Sequence, residues 1–304
     1  MINRLLVFLS KQSGFSVTDI ARIISSAPRR YKVFQIKKRN NRGMRVVAQP
    51  SRELKTLQRI VVSTLLKSLP IHDSCHGFVP ERGIKTNARA HLDGRYILKI
   101  DLKDFFPSLR SSDLVRHMKA YLPGQFEDDE IRDICRLVFW LPKGERTLRL
   151  CIGAPSSPFI SNTLMYDIDA AITSLCVPLD VVYTRYADDM TFSVAKRDIL
   201  VEVELGVRNI LQNSVYPRVV VNEDKTVNTS MKRRRVVTGL VISNEGSLSL
   251  GRDRKRLIRS MVHKSSLGLL GVKQEEILAG LLAFAHDIEP DFALTMRERR
   301  WRAG

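Results

Sequence analysis

A chain of 304 residues has room for two or three small domains with real cores, and its 44% hydrophobic content excludes wholesale disorder. A net charge of +18 makes a polyanion the natural partner. The four cysteines, Cys75, Cys135, Cys151 and Cys176, form no Cys-x-x-Cys pair, which excludes a defensible zinc site and reads as reduced thiols in a cytoplasmic protein.

Met1 to Ser10 hold an apolar stretch too short to span a bilayer and without a small-residue cleavage pattern. It reads as part of an amphipathic helix, and no membrane partner is expected. Ser16 can cap a helix over 16–27 with Ile20, Ile23 and Ile24 on one face. Residues 31–36 and 44–48 read as short strands joined by the basic turn Lys37 to Gly43. A helix over 50–68 begins at Pro50 and Ser51 and turns Leu54, Leu57, Ile60, Val61, Leu65 and Leu66 inward. Residues 96–101 form a strand ending on Asp101, and 113–122 form a helix. The small-residue loop Gly153-Ala-Pro-Ser-Ser precedes a helix over 158–175. Residues 181–194 read as a hairpin with Ala187-Asp188-Asp189 at its turn. A helix near 198–213, a strand at 218–222 and a strand pair within 235–249 follow; beyond Gly251 the pattern is helical, broken near Gly268–Gly271 and at Pro290. This order describes an α+β sheet with helices on one face.

The charge is segregated. Residues 1–60 carry 14 Lys or Arg against 2 acids, 61–230 carry 21 against 22, and 231–304 carry 15 against 8, giving +12, −1 and +7. Two basic ends flank a neutral middle that holds an acidic pair. A long polyanion gripped on both sides of a metal-binding centre accounts for that layout, and the runs 37–42 and 232–235 make nucleic acid the partner. Side by side at a tight turn, Asp188 and Asp189 repel each other and call for a cation. With Asp101 at a strand end beside them, three carboxylates would meet at one sheet edge. Such a set suits two Mg2+ ions about 4 Å apart and an in-line phosphoryl transfer, as in a polymerase or nuclease.

These residues carry a family resemblance. Tyr186-Ala-Asp-Asp189 resembles the catalytic box of reverse transcriptases, and Asp101-Leu-Lys-Asp-Phe-Phe-Pro-Ser108 their first carboxylate motif. Gly153-Ala-Pro-Ser-Ser-Pro-Phe-Ile-Ser-Asn162 resembles their template and nucleotide loop, and the run from Arg45 to Gln58 resembles the bacterial fingers motif. Asn87-Ala-Arg-Ala-His91 and Val237-Thr-Gly239 resemble two elements of retron reverse transcriptases. The likeness spans roughly residues 30–260.

The resemblance implies a right-hand polymerase. Fingers with an N-terminal helical segment would occupy 1–92. A palm, an antiparallel sheet backed by helices, would occupy 93–240, with part of the fingers interleaved around 115–150. A small, mostly helical thumb would occupy 241–304. It implies Asp101, Asp188 and Asp189 as catalytic magnesium ligands, with the Leu102 carbonyl as a further ligand and Asp104 structural. Phe106, five residues past Asp101, would sit under the nucleotide sugar and exclude a 2′-hydroxyl, with Phe105 the core ring. Arg45 and Lys225 would contact the triphosphate, with Lys37 or Lys38 as a second fingers cation, and Gly153 would line the nucleotide loop. Asn87, His91, Val237, Thr238 and Gly239 would approach RNA or primer, Asn87 and His91 alternatively fixing a loop. Trp301 among the arginines of the tail would meet solvent, RNA or a partner. Many reverse transcriptases carry Leu-Pro-Gln-Gly where this chain has Leu150-Cys-Ile-Gly153, so Ile152 replaces a hydrogen-bonding side chain. The implied activity copies a cognate structured non-coding RNA into multicopy single-stranded DNA, using dNTPs and priming from a 2′-hydroxyl of a guanosine. The product is a branched RNA–DNA, and an effector protein acts with the enzyme in antiphage defence. The rival readings are a group II intron-like or abortive-infection reverse transcriptase, and an RNA-binding scaffold with an idle site.

Overall fold

The computed structural model describes residues 4–37, 43–196 and 198–301, without the side chain of Trp301. Two helices open the chain, α1 (Arg4–Ser13) and α2 (Val17–Ser26), the second capped by Ser16, whose side chain accepts from the Asp19 N–H. Strands β1 (Tyr31–Lys37) and β2 (Met44–Pro50) pair as an antiparallel hairpin. Ser51 caps α3 (Arg52–Ile60), which runs on as a π turn over Val61–Leu65, so the helix expected over 50–68 starts later and changes pitch. Next come α4 (Ile84–Arg89), β3 (Tyr96–Asp101), α5 (Phe105–Ser108), α6 (Ser111–Tyr121) and α7 (Asp128–Val138). Sequence periodicity misses α7. The single helix expected over 158–175 is two, α8 (Ser157–Leu164) and α9 (Tyr166–Cys176), meeting at Met165.

The hairpin at the centre is β4 (Val182–Tyr186) and β5 (Asp189–Val194), followed by α10 (Ile199–Asn213) and β6 (Val227–Ser230). The strand expected at 218–222 shrinks to one bridge, Leu102 with Val221, and the pairing with β3 is made instead by β6. A short sheet of β7 (Arg235–Val237), β8 (Leu240–Ile242) and β9 (Leu248–Ser249) precedes α11 (Arg252–Ser266), α12 (Val272–Ile288) and α13 (Pro290–Trp301).

The main sheet has the antiparallel order β4-β5-β3-β6. Strand alternation gives it two unlike faces. Leu98, Ile100, Met190, Phe192, Val194 and Tyr183 point into a large core shared with α1, α2, α3, α6, α7, α9 and α10. The opposite face carries Asp101 and Asp189 at one end and Ile97 and Ser193 at the other, by the registers Asp101↔Asp189 and Ile97↔Ser193. Ile97 joins a second core with Ala88, Val237, Leu240 and the apolar faces of α11, α12 and α13. The four cysteines are buried and free. No helix among the described residues is long and apolar enough to cross a membrane.

Candidate active site

The registers Asp101↔Asp189 and Tyr186↔Asp189 leave Ala187 and Asp188 as a two-residue turn beside the end of β3. Ala187 takes a φ of 56°, in the left-handed region, and the turn is held from behind. The Leu102 N–H donates to the Asp188 carbonyl at 3.0 Å, and Arg185 Nη1 donates to the Ala187 carbonyl at 3.1 Å. Gly77 lies against the same turn: a Cβ there would stand 2.8 Å from the Ala187 nitrogen, so only glycine permits this approach.

Burial first, then the neighbouring charges of Asp189 and Asp101, push the Asp188 carboxyl up to about 6. Asp101 is 6% exposed. Asn222 Nδ2 donates to its Oδ1 at 2.9 Å, and Lys225 Nζ reaches both carboxylate oxygens at 2.9 Å. Three acids share one sheet end, and among the described residues the Lys225 ammonium is the counter-ion that reaches them. The donor set is all hard oxygen, which fits divalent cations and not soft metals. Among the described residues no three His, Cys, Asp or Glu side chains are already gathered around one point. The Asp101 carboxylate is instead turned toward the Lys225 ammonium.

Beneath the turn lies a network that sequence reasoning missed. Arg185 and Asp169 are both fully buried and paired, with Nη2 to Oδ2 at 2.6 Å and Nε to Oδ1 at 2.8 Å. Tyr183 donates its hydroxyl to Asp169 at 2.7 Å, and Arg185 Nη1 lies 3.3 Å from Asn162 Oδ1. Asn162 Nδ2 in turn donates to the Gly77 carbonyl at 2.7 Å. The bidentate carboxylate holds Arg185 firmly charged despite its burial. The available signal was a charged residue inside an otherwise apolar strand, which demands a buried acid.

The other expected residues fall into two groups. Gly153 has a φ of 115°, and a Cβ on it would meet the Ala48 carbonyl at 2.9 Å and Val47 at 3.0 Å. The Ala48 N–H donates to the Ile152 carbonyl at 2.9 Å. The loop after Cys151 is therefore seamed to β2. Arg45 is exposed and shares a strand face with Val47, whose side chain borders Gly153. Lys38 lies outside the described residues. Phe105 is buried and Phe106 half-buried, their rings 5.6 Å apart. Asp104 stands at the N-cap position of α5 with a φ of 45° and no side-chain capping hydrogen bond.

Asn87 and His91 lie inside the molecule, not on a surface. His91 is fully buried, with Nδ1 2.7 Å from Ser193 Oγ and Nε2 2.7 Å from Thr184 Oγ1. Burial pushes its pKa down to about 3, so a neutral ring pins the end of α4 to the sheet. Asn87, one helical turn earlier, is fully buried with neither side-chain polar atom paired. Thr238 (φ 46°) and Gly239 (φ 82°) form the two-residue turn between β7 and β8, as the register Val237↔Leu240 requires. Thr238 Oγ1 donates to the Ile84 carbonyl at 3.0 Å, so the turn touches the start of α4. Elements 150 residues apart in sequence thus form one unit, reaching the sheet face that carries Asp101 and Asp189.

Residues 36–273 match the family model described as reverse transcriptase (RNA-dependent DNA polymerase). The retron Ec83 reverse transcriptase of Escherichia coli is 38% identical over 86% of this chain and 84% of its own length. The retron Ec86 reverse transcriptase of Escherichia coli is 32% identical over 92% of this chain and 83% of its own. Among solved structures, a foamy viral protease-reverse transcriptase in complex with double-stranded DNA superposes with a TM-score of 0.52 at 16% identity. That likeness covers 89% of this chain and 38% of the viral one, and it shows a shared fold.

Proposed function

This chain belongs to the retron-type reverse transcriptases, RNA-directed DNA polymerases, and on that premise we propose that it copies a structured non-coding RNA into short, multicopy single-stranded DNA. The observation that carries the reading is the antiparallel register that sets Asp101 against Asp189 at the Asp188 turn. Priming comes from a 2′-hydroxyl of a guanosine in the same RNA, which leaves a 2′,5′-branched RNA–DNA product. A retron effector protein completes the system, which serves antiphage defence.

Each addition is an in-line displacement: the primer hydroxyl oxygen bonds to the α-phosphorus of a dNTP, its proton passes to water, and the bond to the pyrophosphate oxygen breaks, releasing pyrophosphate. Asp101, Asp188 and Asp189 would hold two Mg2+ ions, with the Leu102 carbonyl as a further oxygen ligand. When bound, these ions lower the pKa of the attacking hydroxyl and offset charge at phosphorus. Lys225 leaves Asp101 for the triphosphate, a move its half-exposed side chain allows. Arg45 and a fingers lysine, Lys37 or Lys38, grip the phosphates from the other side. The backbone at Gly153 lines the nucleotide, without the side-chain hydrogen bond that Ile152 cannot make. The turn of Thr238 and Gly239 approaches the primer or an RNA stem, with Val237, buried in the second core, and Asn87 and His91 supporting it from beneath.

Phe106 sets the sugar preference. Phe106→Val is expected to lower discrimination against ribonucleotides by about 10²-fold, read from paired single-nucleotide incorporation rates. Unchanged discrimination would remove Phe106 from this role. The function as a whole is tested by co-expressing the chain with the structured RNA from its own locus and extracting the nucleic acid. We expect DNA joined to RNA that only a debranching enzyme separates. Wholly linear DNA would reject 2′-priming while leaving the polymerase intact.

A further inference from the structure

Phe78 has no explanation in the fold. The residue is 54% exposed, so it gains little from burial. Its φ is 59°, a conformation that costs a bulky residue energy and that glycine or asparagine adopts more readily. Yet the backbone around it is built rigidly. The Arg185 N–H donates to the Ser74 carbonyl at 2.8 Å and the His76 N–H to the Arg185 carbonyl at 2.7 Å, so residues 74–76 run as an extra half-strand along the outer edge of β4. Asn162 holds the Gly77 carbonyl, and Gly77 itself sits against the Ala187 turn. Arg82 closes the loop from the other side, with Nη1 donating to the carbonyls of Asp73 at 2.8 Å and Cys75 at 3.0 Å. All this presents one ring to solvent, 6.1 Å from the ring of Tyr186, the residue that opens the Asp188 turn.

Position says what the ring meets. Along the sheet order β4-β5-β3-β6, Tyr186 and Phe78 stand on the β4 flank of the acids, and Lys225 reaches Asp101 from the segment that leads into β6. If the triphosphate is drawn to the Lys225 flank, the primer end and the template paired to it come in over β4. Aromatic faces hold bases and sugar edges with little regard to sequence, as a polymerase requires. We propose that Phe78 is a positioning residue for the RNA–DNA hybrid. With Tyr186 it forms an apolar shelf under the last base pairs, which keeps the primer hydroxyl in register with Asp188 and Asp189. This rests on the polymerase reading above.

The test is primer extension on a pre-annealed RNA template and DNA primer, with Phe78→Asn and Phe78→Tyr beside the unaltered chain. Asparagine tolerates the left-handed backbone and removes the ring; tyrosine keeps the ring. For Phe78→Asn we expect KM for the hybrid to rise about tenfold, kcat to change less than twofold and products to shorten, with a melting temperature unchanged or raised. Phe78→Tyr should restore KM. A KM within twofold of the unaltered chain in Phe78→Asn overturns the inference, as does a tyrosine variant as defective as the asparagine one. Loss of a protein partner at unchanged KM also overturns it and assigns the ring to a protein interface. If the unaltered chain extends no primer, it is the polymerase reading that fails.

Discussion

Asp188→Asn is expected to lower DNA synthesis on the order of 10³-fold or more without weakening the fold. Both halves follow from the same geometry. The Asp188 carboxyl is held up at about 6 by burial and by Asp189 and Asp101, so its ionised form is a liability to the folded chain. A neutral amide of the same shape relieves that repulsion, and thermal unfolding should stay level or rise. The lost oxygen charge is what a divalent cation requires at this position. Asp101→Asn should be as inactive but for a different balance, since it also strips Lys225 of its ion pair. Primer extension, RNA affinity and melting temperature measured on the same preparations separate the effects. Synthesis within tenfold of the unaltered chain, or a melting temperature lowered by many degrees, would show that Asp188 is structural.

The second large effect concerns stability. Asp169→Ala leaves the Arg185 guanidinium fully buried without its partner, and removing one member of such a pair costs about 3–5 kcal/mol. Tyr183 loses its acceptor in the same change. Urea unfolding should show an unfolding free energy lowered by that amount, and a cost under about 1 kcal/mol would mean that water or a neighbour replaces the carboxylate. The double replacement Asp169→Leu with Arg185→Met distinguishes stability from function. Exchanging a buried ion pair for apolar groups is often near neutral for folding. Here it also deletes the Arg185 bond to the Ala187 carbonyl, so the refolded enzyme should remain poorly active because its catalytic turn is no longer held.

The site was more legible than the scaffold beneath it. Asp101, Asp188 and Asp189 announce themselves because carboxylates at a strand end and a hairpin turn break local rules, and such breaks mark function. The register that unites Asp101 with Asp189 follows once the alternation in 96–101 and 189–194 is noticed. By contrast, β6 was unreadable: Val-Asn-Thr-Ser has weak strand character and takes its conformation from the open edge of β3, while the more apolar 218–222 makes one bridge only. Residues 128–138 begin with three acids that suit a helix start, but the polar run before them reads as loop. For Asn87 and His91 the sequence left RNA contact and the fixing of a loop both open, for another reason. A histidine whose partners are Ser193 and Thr184 is decided by contacts about 100 residues away, which no local pattern reports.

The ion pair between Lys225 and Asp101 spans 124 residues of sequence. At ribosomal speeds of about 5–20 residues per second, roughly 6–25 s separate the synthesis of one from that of the other. Through that interval β3 has no β6 on its edge, and Asp101 has no ammonium to meet. The contact that joins Asp101 to Lys225 therefore forms late, after the helices and strands of the large core have emerged. A nascent chain in that window presents an open strand edge, which favours early capture by a partner or a chaperone.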